Sequence, residues 1–269
     1  MQKAAPRVTR MTRDEAILWS GLSKVYETQD GIDVLALDRI NIAVGEGEFL
    51  AVVGPSGCGK STLLRLVGGL MPYTSGELRV GGKPVSGPRR DIGVVFQSAT
   101  LLEWRTVLEN VMLPIDVLGL DRKQYRERAL ALLETVGLAG FDSKYPNELS
   151  GGMQQRVALS RALVHDPSLL LMDEPFGALD ALTRETMNLE LQRIWLEAAK
   201  TVLLITHSIP EAVFLADRVA VMTARPGQLQ DVIEIDLPRP RTLDIMSTPA
   251  FGAIVSRIRA LLNTGGALD

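Results

Sequence analysis

The densest concentration of chemically capable residues is Gly54-Pro55-Ser56-Gly57-Cys58-Gly59-Lys60-Ser61, which fits the spacing G-x-x-x-x-G-K-[ST] of a phosphate-binding loop. Glycines at 54, 57 and 59 permit backbone angles closed to other residues. Successive N–H groups can then turn inward and, with a helix N-terminus, face an anion. A polyphosphate is the expected guest. Lys60 would bridge the β- and γ-phosphates as a point charge, the Ser61 hydroxyl would ligate the accompanying Mg²⁺, and Thr62 would assist at the α-phosphate.

Three further positions fall at the ends of apolar runs. Ser168 to Met172 reads as a buried strand ending in Asp173-Glu174-Pro175. Adjacent carboxylates at such a tip are costly unless paired or metal-bound, so Asp173 is a candidate Mg²⁺ partner and Glu174 stays free to act as a base. Gln97 closes the run Ile92 to Phe96, and His207 follows Val202 to Ile205. Of the two histidines, His207 is expected to be functional and His165, in a helical stretch, structural. Ser150 reads as the N-cap of a helix opening Gly151-Gly152, a second N-terminus suited to anions. For Tyr26, stacking on an adenine ring and ordinary packing both remain open on spacing alone.

The elements that must carry these groups follow from periodicity. Phe49 to Val53 is an apolar β-favouring run before the loop, and Leu63, Leu64, Val67 and Leu70 repeat on a helix after it. Ala16 to Tyr26 and Val34 to Val44 predict a small antiparallel sheet. Gly76 to Val80 and Lys83 to Val85 predict a hairpin about Gly81-Gly82. Residues 101–163 turn helical, with Ala129, Leu130, Leu132, Leu133 and Val136 on one helix. Val202 to Ile205, a helix around Glu211 to Ala216, and Val219 to Met222 restore the alternation that implies a mostly parallel sheet. Ile254, Ile258 and Leu261 suggest one terminal helix, too little for a folded regulatory domain. Residues 1–14 read as a leader without period.

Composition narrows the function classes. The chain has 269 residues, 46% hydrophobic and 23% charged, ordinary for a globular protein with a substantial core. A net charge of −3 gives no reason to expect nucleic acid or anionic lipid as a partner. No run reaches the ~18 apolar residues of a membrane span, and no apolar signal core follows the first basic residues. The single cysteine, Cys58, excludes an internal disulfide, favours a reducing compartment and reads as a small filler.

In their order, the phosphate loop, Gln97, Leu149-Ser150-Gly151-Gly152-Met153-Gln154, Leu171-Met172-Asp173-Glu174, Ala178-Leu179-Asp180 and His207 resemble the nucleotide-binding subunit of ATP-binding cassette (ABC) transporters. The resemblance covers roughly residues 16–237. It implies an α/β fold: a RecA-like P-loop NTPase core with a mostly parallel sheet, an N-terminal antiparallel β subdomain and an inserted α-helical subdomain at about 98–160. The expected division is a leader 1–14, an ATPase domain 15–237 and a tail 238–269 with one helix.

The resemblance further implies ATP and Mg²⁺ held between one copy's phosphate loop and Ser150, Gly151 and Gly152 of a second, head-to-tail copy, with Asp180 also at the nucleotide. Glu174 would act as base, His207 and Lys60 would stabilise transferred charge, and Gln97 would contact Mg²⁺ and the attacking water. Tyr26 would be the adenine-stacking aromatic. The implied partners are transmembrane permease subunits and, indirectly, an external solute-binding protein, which places the chain peripherally at the cytoplasmic face of the membrane.

Leu101-Leu102-Glu103-Trp104-Arg105-Thr106-Val107, Ala224-Arg225-Pro226-Gly227 and Asp236-Leu237-Pro238-Arg239-Pro240-Arg241 look like importers of the nitrate, sulfonate and taurine type. Glu103 stands where that subfamily usually has proline, beside the groove for the permease, and Trp104 with Leu101 and Leu102 is the expected docking surface. Another small organic solute, a pyrimidine or an aromatic carboxylate, is the alternative cargo. A DNA-acting cassette would need a long coiled coil between loop and signature, and no sustained heptads occur there. A translation-factor cassette would need two loops, and one is present. A non-catalytic module would be told apart by ATP hydrolysis.

Overall fold

A computed structural model describes residues 15–27, 31–177, 179–198 and 200–264. The leader 1–14 and Ala178 lie outside these. Two long strands open the fold, β1 (Glu15–Tyr26) and β2 (Val34–Gly45), and β3 (Phe49–Val53) leads into the phosphate loop and α1 (Lys60–Val67). The chain continues through β4 (Ser75–Val80), β5 (Lys83–Pro84) and β6 (Ile92–Val95) into the helices α2 (Val107–Val111), α3 (Leu113–Leu118), α4 (Arg122–Thr135) and α5 (Gly151–Leu163). The final part alternates β7 (Leu169–Asp173), α6 (Ala181–Ala198), β8 (Thr201–Ile205), α7 (Ile209–Leu215), β9 (Arg218–Met222) and β10 (Leu229–Glu234), and closes with α8 (Pro249–Thr264).

The strands form two sheets. One is antiparallel in the order β2-β1-β4-β5, and the other runs β10-β9-β3-β8-β7-β6. In the second sheet every pair from β9 to β6 is parallel, and β10 adds an antiparallel edge. Strands buried on both faces have no polar alternation, which is why β3, β7 and β8 read as unbroken apolar runs. Their period of two instead divides them between two cores. Phe49, Ala51, Val53, Leu170, Met172, Val202 and Leu204 pack with α5, α6 and α7. Leu50, Val52, Leu169, Leu171, Leu203 and Ile205 pack toward α1 and the antiparallel sheet.

Three features depart from expectation. Phe96 is not in the strand: β6 ends at Val95 and Phe96 is 41% exposed, so the chain leaves the sheet one residue earlier and frees Gln97. The edge strand β10 and the long helix α6 were not signalled by apolar periodicity. Leu229-Gln230-Asp231-Val232-Ile233-Glu234 mixes apolar and polar residues without a period of two. In α6 the buried face of Met187, Leu191 and Ile194 also contains buried Asn188 and Gln192, which dilutes the apolar stripe.

Helix caps fix the insert locally. Thr106 and Glu109 form a reciprocal capping box on α2, and Asp121 caps α4. Buried Asn110 donates to the carbonyls of Leu102, Arg105 and Thr106 and accepts from the Leu102 N–H at 2.7 Å, so the loop carrying Glu103 and Trp104 is held from beneath. Trp104 itself is 75% exposed.

Candidate active site

The parallel topology brings the sequence-selected groups together. Neighbouring strands β3, β8, β7 and β6 end, in that spatial order, in the phosphate loop, Thr206-His207, Asp173-Glu174 and Phe96-Gln97. All four therefore lie at the carboxyl edge of one sheet, where α/β folds bind ligands.

The loop is built for close backbone approach. Gly59 has φ +104°, a conformation that requires glycine, and a Cβ there would also crowd Leu37 Cδ2 at 2.7 Å. Lys60, only 7% exposed, donates its ammonium to the Gly54 carbonyl at 2.8 Å and the Pro55 carbonyl at 2.9 Å, bracing the loop across its mouth. The Cys58 thiol points inward, and burial raises its pKa, so it is an inert filler as its size suggested.

Beside the loop, Ser61 Oγ donates to Asp173 Oδ1 at 3.1 Å. Burial raises the Asp173 pKa, the Ser61 hydrogen bond opposes that, Glu174 adds to it, and Arg65 and Lys60 lower it. Such a half-buried carboxylate, touching a hydroxyl, suits a hard divalent cation, which would relieve the desolvation. Among the described residues no cluster of three His, Cys, Asp or Glu could cage a metal. A Mg²⁺ here would lean on Ser61, Asp173, Gln97 and phosphate oxygens, as this reluctantly dehydrating ion commonly does.

Glu174 is the centre of the second cluster. Its Oε2 lies 3.1 Å from His207 Nδ1 and accepts from Gln97 Nε2 at 3.4 Å. Its backbone sits at φ +47°, a strained position for a non-glycine residue, and its N–H donates to the Ile205 carbonyl at 2.8 Å. The strain aims the carboxylate out of the strand line, between an imidazole and an amide. The carboxylate side chain is 22% exposed and the imidazole 58%, leaving room for a water at the pair. His165 instead sits half-buried against the Ile92 carbonyl, its pKa lowered by burial, in keeping with a structural role.

Tyr26 reaches the loop helix: its hydroxyl is 3.1 Å from Thr62 Oγ1 and donates to Met71 Sδ at 3.4 Å, and Lys24 Nζ lies 5.2 Å from its ring centroid. Ser150 caps α5, accepting from Met153 N–H at 3.3 Å, with Gly151 exposed beside it. Among the described residues no hydrogen bond or ion pair joins Ser150, Gly151 or Gly152 to the phosphate loop, Asp173, Glu174 or His207. Asp180 caps α6 through the Thr183 N–H at 3.0 Å and the Thr183 hydroxyl at 2.7 Å, and the Thr183 backbone bond leads the causes that lower its pKa.

Other contributors have roles that the sequence did not assign. Gln155 Nε2 donates to the Phe96 carbonyl at 2.9 Å, and Arg161 donates to the carbonyls of Ala99 at 2.6 Å and Thr100 at 2.9 Å, so α5 grips the segment on both sides of Gln97. Glu211, buried on α7, has its pKa raised by burial and lies in the field of Arg184, His207 and Glu174. Gly227 packs so tightly on the phosphate loop that a Cβ would fall 2.0 Å from the Cys58 carbonyl oxygen. A long-range backbone contact of this kind leaves no local sequence signal.

Comparison with known proteins agrees with this geometry. A family model described as "ABC transporter" matches residues 37–177, over half of the chain. An uncharacterized ABC transporter ATP-binding protein of Methanocaldococcus jannaschii is 53% identical over 220 residues, covering 82% of each chain. The taurine import ATP-binding protein TauB of Rhizobium johnstonii is 45% identical, covering 90% of this chain and 94% of its own. A solved dimeric ATP-binding cassette in a post-hydrolysis state, bound to ADP and Pi, superposes with a TM-score of 0.73 at 34% identity, over 82% of this chain and all of that one. With its P-loop NTPase fold and its phosphate loop and carboxylate cluster on one sheet edge, the chain belongs to the ABC transporter family as an ATP-binding, ATP-hydrolysing subunit.

Proposed function

We propose that the chain is the ATPase of an importer for a small solute of the nitrate, sulfonate or taurine kind, working through a separate permease. The observation that carries the catalytic part is the placement of Glu174 between His207 Nδ1 and Gln97 Nε2, next to the Ser61–Asp173 pair. The cargo class rests on the likeness to the taurine import subunit and on the stretches 101–107, 224–227 and 236–241. No helix among the described residues is long and apolar enough to cross a membrane. Peripheral attachment at the cytoplasmic face through the permease fits this, with a solute-binding protein acting on the outer side and no nucleic-acid partner.

In this account residues 54–61 cradle the β- and γ-phosphates with backbone N–H groups, and Lys60 transfers part of its hydrogen bonding from the Gly54 and Pro55 carbonyls to phosphate. Thr62 lies at the α-phosphate and Tyr26 under the adenine. Ser61, Asp173 and Gln97 hold Mg²⁺, whose chemistry is to neutralise charge on the phosphate oxygens. Glu174 orients the attacking water and accepts its proton, while His207 and Lys60 face the charge developing on the transferred group. Ser150, Gly151 and Gly152, not bonded to the loop among the described residues and presented at a helix start, complete the site of a second copy, with Asp180 at the same seam. Exposed Trp104, on a loop fixed by Asn110, offers the permease a rigid contact.

The test is Glu174→Gln in the chain assembled with its permease. ATP binding and dimer closure should persist while hydrolysis falls by roughly a hundredfold or more, the loss expected for a general base. Turnover near that of the native complex would remove Glu174 from the chemistry. An assembled native complex that does not hydrolyse ATP would make the chain a binding module.

A further inference from the structure

The segment Asp236 to Arg241 stood out in the sequence, and nothing in the nucleotide site uses it. In the structure it wraps the far end of α7, the helix that begins just after His207. A helix leaves its last four carbonyls without intrahelical partners. For α7 these are Val213, Phe214, Leu215 and Ala216, and all four accept from two guanidinium groups. Arg241 Nη1 donates to Val213 at 2.9 Å, Phe214 at 3.0 Å and Ala216 at 2.8 Å, and Arg239 Nη2 donates to Leu215 at 2.6 Å.

Both arginines are anchored in turn. Arg241 is 2% exposed, and its backbone exchanges two hydrogen bonds with the buried Gln192 side chain of α6, at 2.8 and 2.7 Å. Arg239 lies 4.3 Å from the Trp195 ring centroid and bonds Asp217 Oδ1 at 2.8 Å, while Asp217 Oδ2 accepts from the N–H of Phe49, the first residue of the strand entering the phosphate loop. At the other end of α7, Ser208 accepts from the Glu211 N–H, and its own N–H donates to Thr206 Oγ1, so His207 is held between two residues fixed to the helix start. Residues 211 to 216 are all buried, so α7 can only shift as a body.

We propose that Arg239 and Arg241 are positioning residues for His207: by capping the C-terminus of α7 they fix where its N-terminus, and hence the imidazole, stands relative to Glu174. Two cations at a helix C-terminus also suit its dipole, and planar guanidinium forks can span several carbonyls where a lysine ammonium cannot. The inference rests on the proposed role of His207 in hydrolysis, and its test separates the two.

The chain has two histidines, so ring ¹⁵N spectra of the full-length protein report His207 with His165 as internal reference. Spectra and ATPase kinetics are compared for the native chain, Arg239→Met, Arg239→Lys and Arg241→Lys, with folding checked by circular dichroism. Arg239→Met should move the His207 signals and leave those of His165 in place. It should also lower kcat about tenfold or more while KM for ATP stays within about twofold, the mark of lost alignment and not of lost binding. Arg239→Lys should recover part of both effects.

Unmoved His207 signals in folded Arg239→Met, or an unchanged kcat, would overturn the proposal. A fall in melting temperature alone would mark the arginines as purely structural and overturn it equally. Should Arg241→Lys fail to fold, the two Arg239 variants decide the matter. If His207→Ala retains native kcat, the role of His207 falls, and the spectra alone then decide whether the arginines position it.

Discussion

Gly227→Ala probes the support of the phosphate loop from a residue outside it. A Cβ at Gly227 would stand 2.0 Å from the Cys58 carbonyl oxygen and 2.8 Å from Met222 Cε. The methionine end can move aside. The carbonyl cannot, because Cys58 lies in the turn closed by its N–H to the Pro55 carbonyl, and Gly227 is itself fixed by its N–H to Ala36 and its carbonyl to Asp38. Relief therefore displaces one backbone segment against the other, an overpacking that costs about 1–3 kcal/mol. If nucleotide binding must restore the loop against that strain, the dissociation constant for ATP rises about 5- to 150-fold, at 1.4 kcal/mol per tenfold. Titration with a fluorescent ATP analogue reads this directly. Gly252→Ala, on α8 with open space at its Cβ, is the matched control and should bind normally. A folded Gly227→Ala chain whose affinity stays within about twofold of native would refute the idea that this contact shapes the loop.

Tyr26→Ala should weaken ATP binding about 5- to 150-fold if the ring carries an adenine, since base stacking contributes about 1–3 kcal/mol. Tyr26→Phe, which loses only the Thr62 and Met71 contacts, should bind nearly as the native chain does, and unchanged affinity in Tyr26→Ala would return the residue to packing. Glu211 gives a pH signature. Burial raises its folded pKa above the ordinary 4.5, so the fold holds this proton more tightly than the unfolded chain does. The stabilisation is complete below 4.5 and is lost as pH rises through the folded value. Glu211→Gln should therefore gain melting temperature relative to native at neutral pH and lose that advantage in acid, as thermal scans across pH will show. A gain independent of pH would contradict the assignment.

Much of the core was legible because most of the parallel strands are short apolar runs that stop at a glycine or a polar residue. Phe49 to Val53, Leu169 to Met172 and Val202 to Ile205 each deliver a functional group where the run stops. The same rule misled at Phe96, whose apolar side chain continues the run after the backbone has left the sheet. It was silent for β10, an edge strand with mixed faces, and for α6, where Asn188 and Gln192 are buried among Met187, Leu191 and Ile194. At the site, Lys60, Ser61, Asp173, Glu174, His207 and Gln97 were readable because motif and strand-end position coincide. Gly227, Arg239 and Arg241 act through contacts between distant backbone segments, and Gln155 and Arg161 through carbonyls some 60 positions away. Only three-dimensional proximity reveals such roles.

The central claim is that the phosphate loop of one copy and Ser150 to Gly152 of another make a single site. It is tested most directly by nucleotide occupancy of a mixed dimer carrying Lys60→Ala in one copy and Ser150→Arg in the other. Shared sites would leave one site with both halves intact and the other with neither, so close to one ATP should be trapped per dimer. A site complete within each chain would be damaged in both copies, and a mixed dimer that traps no ATP would contradict the account.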